Sequence, residues 1–162
     1  MARSTFVYVT YIRTTPEKLW SALTTDAELM KQYWFGCVCE SEWTAGSPWQ
    51  LVNGEGAVMD AGTIDLAEPP NRLVIRWSHK RKPELAAEGE SRCTMELVRE
   101  GSAVKLSITH TIDREHSKLI ESVSGGWPKL LSNLKSLLET GALAIAEPYP
   151  PATAPTSART AH

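Results

Sequence analysis

The sequence predicts an α+β fold in which a curved antiparallel β-sheet wraps around a long C-terminal helix, with two short helices after the first strand. Two patterns predict this fold. Residues 117–141 form the longest amphipathic helical pattern, while residues 37–112 alternate apolar and polar side chains with a period of two. A helix with one apolar face must bury it against a partner surface, and the alternating segments supply a sheet of suitable size.

The chain is expected to begin with a strand at residues 5–12, where β-branched and aromatic residues dominate. A helix follows at residues 16–23, because Thr15 is a suitable N-cap and Pro16 suits the first helical turn. Asp26 is a second suitable cap, and it predicts another short helix that begins at Ala27.

The alternating region predicts the remaining strands. Their ranges are residues 37–43, 48–53, 57–66, 72–79, 91–99 and 103–112. The links between them are mostly short and turn-like, which favours antiparallel neighbours in a meander. The longer charged stretch at residues 80–90 is interpreted as a solvated link between two strands.

The last helix carries an interruption near its front. Gly125, Gly126 and Pro128 all lie inside the pattern, and glycine and proline are both unfavourable in a helix interior. The sequence therefore predicts a short helix at residues 117–122, a break, and a main helix from about residue 126 to residue 139. Gly141 is expected to end it, because glycine readily takes the left-handed C-terminal conformation.

Composition favours one globular domain followed by a tail. Of the 162 residues, 42% are hydrophobic and 22% are charged, which suffices for a sizeable core. We assign residues 1–141 to the domain and residues 142–162 to a flexible tail rich in proline, alanine and threonine. The domain is expected to fold without this tail.

Several partners and compartments are disfavoured by the same data. A formal charge of −2 gives no electrostatic footprint for nucleic acid, and no apolar run is long enough for a membrane span or a signal peptide. Cytoplasmic localisation is therefore expected. The three cysteines follow no zinc spacing and are interpreted as reduced core thiols, so we predict no metal site. No nucleotide-binding or hydrolase motif is present, and no cofactor is predicted.

Alternation also assigns side chains to the interior. Ile108 and His110 share the apolar face of their strand, and Trp49, Trp77 and Met95 are assigned to the corresponding faces of theirs. A curved sheet wrapped on one helix can enclose a ligand cavity. The same side chains can equally make a solid core, so this pattern leaves both possibilities open.

Segments along the whole chain carry a family resemblance. They are VYVTYI at residues 7–12, TPEKLW at 15–20, YWFG at 33–36, EWTAGSPW at 42–49, PPNRL at 69–73, GWP at 126–128 and LLETG at 137–141. Together they resemble the activator-of-heat-shock-protein-ATPase-homologue-like family, within the START or SRPBCC superfamily of birch-pollen-allergen-like proteins. The resemblance spans residues 5–141. It implies a helix-grip fold, in which the sheet wraps the C-terminal helix around a deep hydrophobic cavity.

The resemblance also implies a set of ligand-binding residues. Core packing is the favoured interpretation of any one tryptophan, whereas the resemblance supports an apolar pocket shared by Trp34, Trp77 and Trp127. The full set of candidates is Trp34, Phe35, Trp49, Trp77, Met95, Ile108, His110, Trp127 and Leu131.

His110 is the candidate for acid–base chemistry, because it is the one ionisable residue that the strand register points inward. The favoured interpretation is nevertheless a core histidine bonded to a neighbour. His79 and His116 are expected to be exposed, and Asp60 and Asp65 are expected to be solvated strand residues.

Three classes of function remain. The leading one is binding of a small hydrophobic molecule, such as a lipid, a polyketide or an aromatic compound, in an internal cavity. The alternative is an enzyme that performs cyclase-like or hydrolase-like acid–base chemistry in that cavity, and whether any reaction is catalysed stays open. The third is a co-chaperone-like module with a protein partner in the stress response. The protein is expected to be a monomer or a homodimer.

Overall fold

The computed structural model describes residues 3–146, which form one seven-stranded sheet and four helices. The strands are β1 (Ser4–Ile12), β2 (Val38–Ser41), β3 (Pro48–Val52), β4 (Val58–Glu68), β5 (Arg72–His79), β6 (Ser91–Glu100) and β7 (Ala103–Ile112). The helices are α1 (Pro16–Leu23), α2 (Ala27–Tyr33), α3 (Pro83–Ala86) and α4 (Lys118–Thr140).

The sheet is a meander from β2 to β7 with β1 added beside β7, and every neighbouring pair is antiparallel. Its strand order is β1-β7-β6-β5-β4-β3-β2. The inward faces of the strands and the apolar face of α4 meet in one large core. The predicted α+β helix-grip fold is therefore confirmed.

Both predicted helix starts and the predicted helix end are confirmed. The Thr15 side chain accepts a hydrogen bond from the Lys18 amide, and the Asp26 side chain accepts one from the Leu29 amide. Each satisfies a backbone N–H that has no partner within its helix. Gly141 ends α4 with a φ of 82°, a conformation that costs glycine little.

The predicted break in the last helix is wrong, because α4 continues from Lys118 to Thr140 with Pro128 inside it. The two glycines and the proline cost about 5 kcal/mol relative to alanine. Large apolar side chains are buried along the whole helix, at Leu119 before the interruption, at Trp127 within it and at Leu130 after it. Each contributes about 1.5–3 kcal/mol when fully buried, so packing of one continuous rod outweighs the local preference.

The charged stretch at residues 80–90 contains the short helix α3, which the sequence analysis did not predict. Its Leu85 side chain is buried. The Glu88 carboxylate just beyond α3 accepts hydrogen bonds from the Ser117 hydroxyl and from the Lys118 and Leu119 amides. A carboxylate at a helix N-terminus is favourable, so Glu88 fixes α3 against the start of α4.

The chain beyond α4 remains in contact with the domain over its next few residues. The Asn133 side chain is fully buried, and its amide nitrogen donates to the Ile145 carbonyl while its oxygen accepts from the Ile145 amide. The division into a domain at 1–141 and a tail at 142–162 stays a prediction, and residues 147–162 lie outside the part of the chain that the structure describes.

Gly62 provides a test of the sheet geometry beside the site. A Cβ atom there would lie 1.7 Å from the carbonyl oxygen of Arg76 on β5, so alanine would push the two strands apart. We expect Gly62→Ala to lower the free energy of unfolding by about 1–3 kcal/mol, measured by urea denaturation.

Gly125→Ala is the matched control, because a Cβ atom there meets nothing within 4 Å and the residue lies inside α4. It should raise the free energy of unfolding by about 0.5–1 kcal/mol. Equal effects of the two substitutions would contradict the close approach of β4 and β5.

Candidate functional site

A pocket of about 200 Å³ lies between the first half of α4 and the paired strands β4 and β5. Its walls are formed by the residue after α2 and by side chains of β4, β5, α3 and α4. The lining residues are Trp34, Asp60, Trp77, His79, Leu85, Leu119, Ser122, Val123, Gly126, Trp127 and Leu130. Most of this surface is apolar, and the ionisable groups are confined to the wall made by β4 and β5.

Three tryptophans form the inner wall of the pocket. The ring centroids of Trp34 and Trp127 are 5.8 Å apart, those of Trp77 and Trp127 are 5.9 Å apart, and both pairs meet at 68°. Edge-to-face pairs of this kind add about 0.5–1.5 kcal/mol beyond their buried area. The three rings therefore form a rigid, preformed surface for a flat apolar group.

The deeper interior is filled. Beneath the tryptophans remains a void of about 10 Å³, lined by Trp49 and Met95 among others. Such a void is at the lower limit for one water molecule. The side chains that fill this region include Trp49, whose ring centroid is 4.4 Å from that of Trp77. Directly beneath the tryptophans the described side chains therefore leave no room for a ligand, and the deep cavity that the resemblance implies stays a prediction.

The structure separates the candidate ligand-binding residues into three groups. Trp34, Trp77 and Trp127 line the pocket, whereas Trp49 and Met95 border the small void and do not line the pocket. The others line neither space: Phe35, Ile108, His110 and Leu131. The sequence placed Ile108, His110 and Leu131 correctly in the interior, but a strand or helix face alone does not show where the interior is hollow.

His110 is a buried histidine whose two ring nitrogens both have protein partners. The Trp127 indole N–H donates to Nδ1 at 3.2 Å, and Nε2 lies 2.9 Å from the Ser91 hydroxyl. The Ser91 hydroxyl donates its own proton to the Trp77 carbonyl at 3.0 Å, so its oxygen accepts from Nε2–H. His110 is therefore neutral, and it links α4 to the sheet as the favoured interpretation predicted.

Asp60 and His79 form a second polar group, which the sequence analysis did not identify. They face each other across β4 and β5, and the Asp60 carboxylate lies 2.7 Å from Nδ1 of His79. Their side chains are only 10% and 14% exposed, so the expectation that Asp60 is solvated and His79 exposed is wrong. Because the two side chains hydrogen-bond each other, the free-energy cost of burying them is reduced.

The electrostatics of this pair are set by opposing effects. Burial raises the pKa of Asp60, and the neighbouring His79 and Trp77 partly offset that rise. Nε2 of His79 is buried and has no hydrogen-bond partner among residues 3–146. The pair therefore presents one unsatisfied nitrogen on a side chain that lines the pocket.

Burial of His110 predicts a specific pH dependence of stability. Desolvation lowers its pKa from 6.5 to about 4, so between these values the unfolded chain binds a proton that the folded chain does not. The free energy of unfolding should therefore fall by about 3 kcal/mol from this residue as pH decreases through that window. Urea denaturation at several pH values measures it.

The control compares two histidine substitutions. His110→Gln removes the titrating group and should flatten the dependence of stability on pH, whatever its effect on stability at neutral pH. His116→Gln changes an exposed histidine and should leave the dependence unchanged. Identical pH dependence in the wild type and His110→Gln would contradict the neutral, hydrogen-bonded state of His110.

Neither a membrane-spanning helix nor a cluster of metal ligands occurs in the described part of the chain. None of its helices combines the length and apolar character that crossing a bilayer requires. Residues 3–146 also contain no group of three or more histidine, cysteine, aspartate or glutamate side chains arranged to hold a metal ion.

Several solved structures share this fold. A protein from Mesorhizobium loti is 22% identical, with a TM-score of 0.71 over 86% of this chain and 100% of that one. The Aha1 dimer from Colwellia psychrerythraea is 19% identical, with a TM-score of 0.68 over 85% and 98% of the two chains. An HSP90 activator from Plasmodium falciparum is 22% identical, with a TM-score of 0.66 over 83% and 95%.

The sequence itself shows which protein family the chain belongs to. No curated protein matches the chain significantly. The family model for Activator of Hsp90 ATPase homolog 1-like proteins matches residues 13–139, a range that includes every described helix and strand except β1 and the last residue of α4. The chain therefore belongs to the family of Activator of Hsp90 ATPase homolog 1-like proteins.

Proposed function

We propose that this protein binds a compact, largely aromatic small molecule in the pocket between α3, α4 and the strands β4 and β5. The observation that carries the proposal is the preformed wall of Trp34, Trp77 and Trp127 around about 200 Å³ of open space. Apolar pockets with a few convergent polar groups are the usual form of small-molecule sites.

The volume of the pocket limits the size of its ligand. A cavity of about 150 Å³ suffices for benzene, whereas sites for drug-sized molecules usually measure about 300–1,000 Å³. At about 200 Å³, the pocket matches a molecule with one substituted ring. A long lipid tail or a multi-ring polyketide would need a larger space, so of the ligand classes considered the pocket favours small aromatic compounds.

The pocket also supports binding more strongly than hydrolysis. Ser122 lines the same space as His79 and Asp60, and serine, histidine and aspartate are the three residue types of a serine hydrolase triad. Among residues 3–146, however, Nε2 of His79 has no hydrogen-bond partner, so the Ser122 hydroxyl is not hydrogen-bonded to it and is not activated in this arrangement. The pair of ionisable groups is better explained as part of a binding surface.

Binding can be tested with para-xylene, an aromatic molecule without polar groups. Titration should shift the indole N–H signals of Trp34, Trp77 and Trp127 in nitrogen–proton NMR spectra, because these rings form the wall. Val123 also lines the pocket, and Val123→Phe should fill it and weaken para-xylene binding about tenfold or more.

Val98→Phe is the matched control, since Val98 is 53% exposed on the opposite face of the sheet. It should leave the affinity for para-xylene unchanged. If wild-type protein gives no saturable shifts of these indole signals, or if Val123→Phe binds para-xylene as well as the wild type does, the proposed pocket is wrong.

Self-association is a second candidate function, favoured by an apolar patch on the outer face of the sheet. The patch consists of Val7, Val9 and Tyr11 on the edge strand β1 and Val98 on β6, each between 43% and 57% exposed. Tyr11 and Val98 lie in one row across the sheet, with Lys105 between them. An exposed apolar edge strand is a template for pairing with another chain, and one structural neighbour is a dimer.

Analytical ultracentrifugation tests this candidate. We expect wild-type protein to form a homodimer, and Val7→Thr with Val9→Thr to weaken dimerisation about tenfold, because apolar area in both copies loses its favourable burial. Leu143→Thr changes an exposed leucine outside the patch and serves as the control. A wild-type protein that stays monomeric at high concentration would rule out this patch as a dimer interface.

A further inference from the structure

The Asp60–His79 pair has features that packing alone does not explain. Both side chains are nine-tenths or nearly nine-tenths buried at the pocket wall, although replacing such a pair with apolar residues is often neutral or stabilising. A pair that only joined β4 to β5 would use both ring nitrogens of His79. Its Nε2 instead has no partner among the described residues.

His110 provides the comparison within the same molecule. It is also a buried histidine on a strand, yet the Trp127 indole and the Ser91 hydroxyl satisfy both of its nitrogens. Since buried polar atoms are nearly always hydrogen-bonded, an unsatisfied nitrogen at a pocket wall indicates a missing partner. That partner must come from outside the described residues.

The position of the shared proton determines which partner Nε2 can take. An ionised carboxylate can only accept hydrogen bonds, so in the neutral imidazole the proton lies on Nδ1, which donates to Asp60 across the 2.7 Å contact. In the neutral ring Nε2 then carries a lone pair and accepts hydrogen bonds. A ligand suited to this site presents a donor, not a second acceptor.

We infer that the pocket selects a compact aromatic molecule bearing one hydroxyl or N–H group, which donates a hydrogen bond to Nε2 of His79. The aromatic ring lies against Trp34, Trp77 and Trp127, and Asp60 holds the imidazole in the accepting tautomer. Nε2 is closed off from solvent, so the donor reaches it through small side-chain rotations of the kind that commonly accompany binding. This inference rests on the proposed function of the pocket.

Three probes of similar shape separate the hydrogen bond from apolar binding. Para-cresol carries a hydroxyl donor, para-methylanisole replaces that proton with a methyl group, and para-xylene has no polar group. We expect wild-type protein to bind para-cresol about tenfold more tightly than para-methylanisole, as one buried hydrogen bond allows. Isothermal titration calorimetry or NMR titration measures the three affinities.

The matched variant removes both members of the pair together, as Asp60→Leu with His79→Phe, because removing one alone would leave a buried polar group without a partner. In this variant para-cresol and para-methylanisole should bind with equal affinity, whatever the effect of the two substitutions on para-xylene binding. His116→Phe changes an exposed histidine and should retain the advantage.

A measurement on wild-type protein keeps the test valid if the double variant does not fold. The nitrogen NMR signal of His79 Nε2 should be that of an unprotonated imidazole nitrogen, and para-cresol should shift it while para-xylene does not. Equal affinities for para-cresol and para-methylanisole in the wild type, or an advantage that survives the double substitution, would overturn the inference alone. Binding of none of the three probes would overturn the proposed pocket as well.

Discussion

The hydrogen bonds that join α4 to the sheet through His110 control where the interior is solid and where it is open. Trp127 on the helix, His110 on β7 and Ser91 on β6 form one buried chain that ends at the Trp77 carbonyl on β5. Each donor in this chain has one acceptor, so the helix cannot rotate or slide without leaving a buried polar atom unpaired. The large rings of Trp77 and Trp127 are thereby held over the deep core, and the remaining space lies at the N-terminal half of α4.

Two buried histidines consequently perform different tasks in one small domain. His110 has complete hydrogen bonding and a pKa lowered to about 4 by burial, which suits a neutral structural link. His79 lines the pocket and has the Asp60 carboxylate on Nδ1, but its Nε2 has no hydrogen-bond partner within residues 3–146. Burial alone would favour His110 as the candidate for ligand contact, whereas the hydrogen bonding of the two rings favours His79.

Much of the fold followed from the sequence because hydrophobic period is a local property. The face of α4 that carries Trp127 and Leu131 and the inward side of β7 could be assigned residue by residue. The Asp60–His79 pair could not, because it depends on a register shift between Ile64 and Leu66 in β4. Without that bulge, the hairpin register set by Glu68 and Arg72 would place Asp60 opposite Lys80. The continuity of α4 was equally hidden, since only tertiary burial offsets the local cost of its glycines and proline.

The two ends of the pocket differ in how firmly they are held, and this difference determines how the site can adapt. The tryptophan wall packs against Trp49 and is anchored by His110, so enlarging the pocket there would break aromatic contacts and buried hydrogen bonds together. The opposite wall is α3, a helix of four residues with one buried side chain, Leu85. Glu88 attaches it to the start of α4 through exposed or half-buried hydrogen bonds, which cost less to break. Enlarging the pocket would therefore cost less free energy at α3 than at the aromatic wall.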